Sequence, residues 1–219
     1  MPKRSSGQSP RVRRDGFDAS STGNWDYNTS TQNQHNPWGS AEDIKNQLGV
    51  SQEVAERLYG DVRAFTGTYS DDIREAQRGE SDWGTAIRMG KSCEELIDRS
   101  PKWNGAELTR GIHGLDADTM KAMTTVGALV NCNYGSASWT TYQPKAESFA
   151  GHGARSLVMH VSGPRRATSI NGISEYKDIE YEVLGSMREA FECVRTEMHG
   201  DTMHAYYKVI DFDYDWKYK

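Results

Sequence analysis

The order of the sequence patterns along the chain predicts an α+β fold. Up to residue 100, apolar residues recur at the spacing of one helix face, and serines and glycines mark the helix ends. Beyond Pro101 the pattern changes to short apolar runs separated by polar segments, which is typical of strands. The 219 residues, 36% of them hydrophobic, are enough for one sizeable core. A chain with its helices first and its strands afterwards belongs to the α+β class.

Four helices are predicted between residues 40 and 100. Ser40 and Ser51 are suitable N-caps for the first two, and a glycine follows each of these helices. The second helix has the strongest pattern, with four apolar residues at helical spacing: Val54, Leu58, Val62 and Phe65. A third helix is expected over 70–79 and a fourth over 84–98. Their apolar faces are expected to form the core of the helical part.

The remainder of the chain, 101–219, is predicted to be rich in strands. The run 156–161 is almost continuously apolar, as expected of a strand in the centre of a sheet. The other expected strands lie at 107–112, 134–140, 179–184, 190–194 and 204–212. Two short helices are expected among them, over 116–123 and 145–150. A polar loop, 162–179, precedes a strand that carries two glutamates.

Glu180 and Glu182 have the spacing of two neighbours on one face of a strand. They would lie roughly 6–7 Å apart, with Tyr181 on the opposite face. Two carboxylates at that separation repel each other, so at least one should have a raised pKa. The solvated face of an amphipathic strand would show the same spacing. The pattern by itself therefore leaves a functional site and an ordinary surface both open.

The first 39 residues are predicted to form a flexible, basic and polar arm. They are rich in Ser, Asn, Gln, Gly and Thr, with too little apolar surface to offset the entropy of ordering. Residues 1–14 hold five basic side chains and no acidic one, although the whole chain carries a net charge of −5. That overall charge argues against a globally basic nucleic-acid-binding protein. The arm is compatible with contact to nucleic acid, a partner or a particle, and also with a solvated tail.

Several classes of protein are disfavoured by what the sequence lacks. No apolar segment follows the basic residues, as a secretory signal would require, and no run of about 18 apolar residues could span a bilayer. We therefore expect a cytoplasmic protein with no membrane partner. The six histidines form no ligand cluster, and the three cysteines lack metal-ligand spacing: Cys93, Cys132 and Cys193. No metal is expected.

Three short motifs, in this order along the chain, resemble the Arg–Ser–Glu class of mono-ADP-ribosyltransferases. They are Arg110-Gly111, Ser136-Ala137-Ser138 and Glu180-Tyr181-Glu182. The class includes clostridial actin-modifying toxins, Rho-modifying exoenzymes and transferases of tailed bacteriophages. Two further segments, 65–79 and 146–150, resemble the helical signature of the exoenzyme domain and the Ala-x-x-Phe-Ala run that follows the serine motif. The matches span roughly 50–212, with Ala137 where the family usually has threonine.

This resemblance implies a fold, a substrate and a role for each matched residue. The fold is a two-sheet mixed β core behind N-terminal helices, in a single catalytic domain over 40–219, and the substrate is NAD. Glu182 would stabilise the oxocarbenium-like ribose and bind its 2′-hydroxyl, while Arg110 would grip the pyrophosphate. Gly111 would let backbone approach the dinucleotide closely. Ser136 and Ser138 would contact NAD, and the Ser136 hydroxyl would help Glu182 to stay ionised.

Glu180 indicates the acceptor. In the family, a glutamate two residues before the catalytic one accompanies modification of arginine, because a guanidinium attacks only when a carboxylate holds and deprotonates it. Tyr176 resembles the aromatic residue of the family's substrate-recognition turn. Arg165 and Arg166, at the start of the same loop, could face an acidic acceptor surface or simply be solvated.

The resulting hypothesis is a protein-arginine mono-ADP-ribosyltransferase, phage-encoded and acting on host proteins. Two alternatives stay open at this point. One is a virion-associated or nucleic-acid-associated binding protein with a transferase-like fold, in which residues 1–14 make the contact. The other is an NAD glycohydrolase, which Glu180 disfavours. Labelled protein, as opposed to free ADP-ribose alone, would separate a transferase from a glycohydrolase.

Overall fold

Four helices build the N-terminal part of the fold. The structure is a computed structural model that describes residues 38–103, 107–132, 135–163, 165–177 and 179–210. The helices are α1 (Ala41–Leu48), α2 (Gln52–Thr66), α3 (Ser70–Gln77) and α4 (Gly84–Arg99). Ser40 and Ser51 cap α1 and α2 through their hydroxyls, which accept hydrogen bonds from the backbone N–H groups of Asp43 and Val54. The predicted helices and their N-caps are confirmed.

The apolar faces of these helices pack into one core together with residues of the β part. Leu58, Phe65 and Ile73 are fully buried in it, next to Leu184. Trp38, which the prediction placed in the flexible arm, is also buried there, and its indole Nε1 donates a hydrogen bond of 3.0 Å to Thr168 Oγ1. The core therefore begins at least two residues before the predicted domain boundary. Residues 1–37 of the predicted arm, which include the basic stretch 1–14, lie outside the described residues.

Eight strands follow in the described part of the chain, with two short helices among them. The strands are β1 (Leu108–Ile112), β2 (Leu129–Val130), β3 (Ala137–Thr140), β4 (Leu157–Ser162), β5 (Ala167–Ser169), β6 (Glu182–Gly185), β7 (Ala190–His199) and β8 (Thr202–Ile210). The helices are α5 (Ala117–Thr124) and α6 (Gln143–Ala150). Strand β5 lies within the segment that was predicted to be a polar loop. Its three residues are buried, which the short and polar sequence does not indicate.

The strands are hydrogen-bonded in the order β2-β7-β8-β4-β1-β3-β6-β5. Strands β4 and β8 are parallel and the other pairs are antiparallel, so the sheet is mixed. Strands β1 and β3 pair at one position, Thr109 with Thr140, whereas β1 and β4 pair along five. The predicted α+β fold is confirmed. The two predicted sheets correspond to two groups of strands. The single paired position between β1 and β3 joins these groups into one sheet.

Helix α6 packs across the junction and determines the residue at position 111. A Cβ atom on Gly111 would lie 1.8 Å from the backbone oxygen of Ala146 and 2.6 Å from the backbone nitrogen of Ala150. Glycine therefore allows α6 to lie directly on β1. None of the helices in the described part of the chain is long and apolar enough to cross a membrane.

Candidate active site

A cleft of about 420 Å³ opens where the helices meet the junction between β1 and β3. Residues of helices α2, α3 and α6 line it together with Tyr176 and Glu180 from the segment before β6. Its charged lining residues are two arginines and two glutamates: Arg74, Arg110, Glu180 and Glu182. Ser138, His113 and Tyr176 also line it. Side chains from six separate elements thus converge on one space large enough to hold part of a small ligand.

Glu182 is the buried carboxylate of the cleft. It is the first residue of β6, its side chain is 3% exposed, and the Ser174 hydroxyl donates a 2.8 Å hydrogen bond to its Oε2. Burial raises the pKa of Glu182, and the nearby charge of Glu180 raises it further. Hydrogen bonds from the hydroxyls of Ser138 and Ser174 act in the opposite direction. The predicted raised pKa is confirmed, but burial contributes more to it than the second carboxylate does.

Glu180 and Glu182 are not neighbours on a strand face, contrary to the prediction. Strand β6 begins at Glu182, and Tyr181 has a φ of 48°, in the left-handed region. The Thr140 hydroxyl donates a 2.6 Å hydrogen bond to the Glu180 carbonyl oxygen, which holds the turn against the end of β3. A non-glycine residue with positive φ is uncommon, and the local sequence does not signal this turn. Both carboxylates still line the same cleft.

The Glu180 carboxylate is paired with a lysine. Lys145 Nζ, in the first turn of α6, lies 3.5 Å from Glu180 Oε1. The two side chains are 24% and 18% exposed, so the pair is only partly open to solvent. Lys145 Nζ also lies 4.8 Å from the centre of the Phe149 ring. The carboxylate that the sequence connects with the acceptor therefore already has a cation beside it.

Arg110 points into the cleft with the two glutamates. Its Nη1 donates a 2.6 Å hydrogen bond to the Ser138 carbonyl oxygen, which fixes the guanidinium across the β1–β3 junction. This placement agrees with the expected convergence of Arg110 and the glutamates.

Ser136 does not share that cleft. It is 1% exposed, its hydroxyl donates to Glu94 Oε1 at 3.0 Å, and it accepts from Gln77 Nε2 at 2.7 Å. The prediction that the Ser136 hydroxyl supports Glu182 is therefore wrong, and Ser138 supplies that hydroxyl instead. The reason is that Ser136 lies before the start of β3, where buried polar side chains of α3 and α4 bind it.

Gly111 lines the cleft, but its lack of a side chain serves helix packing. The space that a Cβ would occupy is filled by the backbone of α6. The prediction explained this glycine by a close approach of its backbone to the dinucleotide, whereas in the structure the packing of α6 is sufficient to account for it.

Tyr176 stands at the rim of the cleft, and its ring is 47% exposed. The loop that carries it is tied to α2, because the backbone N–H of Glu175 donates a 3.0 Å hydrogen bond to Thr66 Oγ1. The Ser174 hydroxyl accepts from the backbone N–H of Tyr176 at 3.1 Å while donating to Glu182. One serine thus links the backbone of the loop at Tyr176 to the buried carboxylate.

The two arginines at the start of the loop lie in different environments, one buried and one exposed. Arg165 is buried, and its guanidinium packs against the rings of both Trp139 and Phe191 and donates a 2.6 Å hydrogen bond to Glu189. Arg166 forms an ion pair of 3.0 Å with Asp98 on α4. Arg165 therefore neither faces an acceptor nor is solvated, because its charged and planar guanidinium is bound by a carboxylate and by aromatic rings inside the core.

Arg74 is the cleft residue that the sequence analysis missed. It lies on α3, where its Nε donates a 3.1 Å hydrogen bond to the Ser136 carbonyl oxygen and its Nη1 bonds Asp71 at 3.2 Å. Burial lowers the pKa of Arg74 to about 10, and the charge of Arg110 contributes to the lowering. Two guanidinium groups therefore face one cleft, and with this pKa Arg74 remains charged at neutral pH. In the sequence, Arg74 is indistinguishable from a solvated helix arginine, although it falls inside the matched segment 65–79.

The paired arginines suit an anionic ligand with phosphate or carboxylate groups. Among the described residues, no three His, Cys, Asp or Glu side chains come close enough together to bind a metal ion. The cleft thus contains two cationic side chains and two carboxylates among its lining residues.

Solved structures of bacterial ADP-ribosyltransferases are similar to this chain. The Vis toxin of Vibrio splendidus superposes with a TM-score of 0.61 at 16% identity, covering 82% of this chain and 86% of the toxin. Exoenzyme S of Pseudomonas aeruginosa, solved with a 14-3-3 protein and bound to carba-NAD, has a TM-score of 0.58 at 18% identity, with 78% and 80% covered. The C3 exoenzyme of Clostridium limosum has a TM-score of 0.57 at 13% identity, with 77% and 90% covered.

Comparison with models of protein families finds no match to this sequence, and comparison with curated proteins finds none either. At these low identities the structural similarity establishes the fold. The chain has the fold of the bacterial mono-ADP-ribosyltransferases, with N-terminal helices packed on a mixed β core.

Proposed function

We propose that this protein transfers ADP-ribose from NAD to arginine side chains of acceptor proteins and releases nicotinamide. The observation that supports it best is the cleft itself, where buried Glu182 lies among Arg74, Arg110 and Glu180. The fold is that of enzymes that carry out ADP-ribosyl transfer, and one of them, Exoenzyme S, is bound to an NAD analogue. A site with cations and carboxylates in one cleft suits both the substrate and the reaction.

Glu182 would act on the bond that breaks. Cleavage between C1′ of the ribose and the nicotinamide nitrogen leaves the electron pair on nicotinamide and positive charge on the ribose. A carboxylate held in a water-poor site stabilises such charge more strongly than one in water does. The hydroxyls of Ser138 and Ser174 orient Glu182 and favour its ionised form. The carboxylate is therefore positioned before the substrate arrives.

Arg74 and Arg110 would bind the pyrophosphate of NAD. A guanidinium offers parallel N–H groups that match two phosphate oxygens, and two guanidiniums balance the two negative charges of the diphosphate. Their mutual repulsion, which contributes to the lowered pKa of Arg74, would be relieved when the anion binds. The repulsion between the two guanidiniums therefore favours binding of the diphosphate.

Glu180 would hold the arginine of the acceptor. The attacking nitrogen forms a new bond to C1′ and gives up a proton, which Glu180 would receive and pass to solvent. Tyr176, exposed at the rim on the same loop, would contact the acceptor. The Vis toxin, with a TM-score of 0.60 to this chain, has been solved in complex with agmatine, a small molecule that carries the guanidinium of arginine. That complex supports a guanidinium acceptor for this fold.

The remaining parts of the proposal concern the biological setting. We propose that residues 38–219 act as one catalytic domain, which includes the buried Trp38, and that the acceptors are host proteins modified by a phage-encoded enzyme. The basis for the proposed acceptors and origin is the sequence resemblance.

The proposal is tested by incubating the full-length protein with NAD labelled in the adenylate part, a bacterial lysate or agmatine, and measuring labelled product and nicotinamide. Glu182→Ala is expected to lose both signals. Glu180→Gln is expected to keep nicotinamide release and lose transfer, and Glu192→Gln, a strand glutamate paired with Lys208, serves as the control. Nicotinamide release without any labelled acceptor would favour the glycohydrolase. Neither signal from a folded protein would favour the binding-protein alternative.

A further inference from the structure

The ion pair between Lys145 and Glu180 occupies the position where the acceptor's cation is proposed to bind. Lys145 Nζ lies 3.5 Å from Glu180 Oε1, and both side chains are about four-fifths buried, at 24% and 18% exposed. Lys145 has no role in the transfer reaction as proposed. A cation that already sits on the acceptor-binding carboxylate must either move away or share that carboxylate when an acceptor arrives.

The fold holds this pair together from both sides. The Thr140 hydroxyl donates to the Glu180 carbonyl oxygen at 2.6 Å and accepts from the Tyr142 backbone N–H at 2.9 Å. One threonine therefore ties the segment before β6 to the segment before α6. Lys145 follows in the first turn of α6 and is also attracted to the Phe149 ring at 4.8 Å. Its ammonium is directed to Glu180 by structure rather than by chance on a flexible surface.

Displacing Lys145 from Glu180 costs free energy, and the binding of different cations offsets this cost to different extents. A guanidinium binds a carboxylate through two parallel hydrogen bonds, whereas an ammonium brings one point charge that merely replaces another. The cost of displacement is the same for every incoming cation. Only a cation that binds Glu180 better than Lys145 does will therefore occupy the site to a useful extent.

We propose that Lys145 competes with the acceptor for Glu180 and lowers the affinity of the site by the same factor for every cation, so that at a given concentration only the more tightly binding guanidinium groups occupy it. This proposal rests on the proposed arginine-directed function and adds a residue to it. It gives α6 a part in setting the affinity for the acceptor, in addition to the parts played by Glu180 and the loop that carries Tyr176.

The test measures binding in the absence of NAD, so that no reaction takes place. Agmatine and cadaverine are titrated by calorimetry into the full-length wild type, Lys145→Met and Lys145→Arg, with Lys121→Met on α5 as a control for loss of one exposed lysine. Lys145→Met is expected to bind agmatine about fivefold more tightly, the order expected for removing a partly exposed ion pair. Cadaverine should gain by the same factor, because the same cost is removed. Lys145→Arg and Lys121→Met should bind as the wild type does or more weakly.

A double variant identifies the carboxylate concerned. In Lys145→Met combined with Glu180→Gln the gain should disappear, which a general loosening of α6 would not produce. Agmatine affinity that is unchanged or weaker in Lys145→Met overturns the proposal, even if the wild type transfers ADP-ribose to agmatine. Conversely, tighter binding without any transfer product supports the role of Lys145 and contradicts the proposed function. The two failures are thus distinguishable.

Discussion

The Ser136 hydroxyl donates a 3.0 Å hydrogen bond to Glu94, whereas the Ser138 hydroxyl bonds Glu182, so the two serines of the Ser-Ala-Ser motif have different partners. Glu94 also accepts from the Ser186 hydroxyl at 2.6 Å and from the Met187 backbone N–H at 2.9 Å. Those two residues follow β6 directly. Glu94 therefore fastens the start of β3 and the end of β6 to α4, and the cleft depends on this buried polar cluster for its shape.

Replacement of Ser136 should weaken the fold more than replacement of Ser138. Ser136→Ala removes two buried hydrogen bonds, one donated to Glu94 and one accepted from Gln77, and each such bond contributes about 0.5–1.5 kcal/mol. Urea unfolding followed by circular dichroism would give the free energy of unfolding for both variants. An equal loss in the two variants would show that the Ser136 cluster contributes little to stability.

The pH dependence of nicotinamide release should report the ionisation of Glu182. The carboxylate is needed in its charged form, so the rate should fall as pH drops through its pKa, which burial has raised. Ser174→Ala and Ser138→Ala each remove a hydrogen bond that favours the charged form. Both should therefore move the acidic limb of the pH–rate profile to higher pH, measured as nicotinamide release at saturating NAD.

Ser81→Ala is the matched control for that profile, since the Ser81 hydroxyl lies outside the cleft and accepts a hydrogen bond of 3.3 Å from the Trp83 backbone N–H. A limb that stays in place in Ser174→Ala, or that moves equally in Ser81→Ala, would contradict the assignment of this ionisation to Glu182.

Arg74 should contribute to NAD affinity although it lies outside the three matched motifs. Arg74→Met removes one of the two guanidiniums in the cleft and is expected to weaken NAD binding about tenfold, which is typical for loss of one charge-assisted hydrogen bond. Equilibrium binding of NAD to the Glu182→Ala background avoids turnover during the measurement. Arg78→Met is the control, because Arg78 pairs with the exposed Glu80. Equal effects of the two substitutions would argue for general electrostatics in place of a phosphate contact.

Gly111 and Gly60 should respond in opposite ways to alanine. At Gly111 the added methyl would lie 1.8 Å from the Ala146 backbone oxygen, so α6 must move and the domain should lose about 3 kcal/mol of stability. Gly60 lies in α2 with nothing within 4 Å of an added Cβ, and alanine there should stabilise by up to about 1 kcal/mol. Thermal unfolding of both variants checks the prediction, and a Gly111→Ala protein as stable as the wild type would exclude tight packing of α6 on β1.

Local signals in the sequence were enough to locate the helices and the candidate carboxylates. Ser40 and Ser51 each cap a helix through a backbone N–H three residues away, so the N-terminal helices could be predicted from spacing and capping alone. The order of the arginine, serine and glutamate motifs likewise predicted the strands that carry Arg110 and Glu182.

Which side chains share the cleft depends on the tertiary fold. Ser136 and Ser138 are two residues apart in one motif, and their partners, Glu94 and Glu182, come from distant parts of the chain. The turn at Tyr181 depends on a hydrogen bond from Thr140, a residue some forty positions earlier. Contacts of this length leave no periodic trace in the sequence, because they arise from packing between elements.

The same reason explains why the sequence does not indicate Arg74 and Lys145 as residues of the site. In the sequence each is a charged residue on a short helix, where a solvated face is the usual environment. In the fold, α3 brings Arg74 beside Arg110, and α6 brings Lys145 onto Glu180. Helix positions relative to a sheet are set by the combined packing of many apolar side chains, and that packing determines the charge pattern of the cleft.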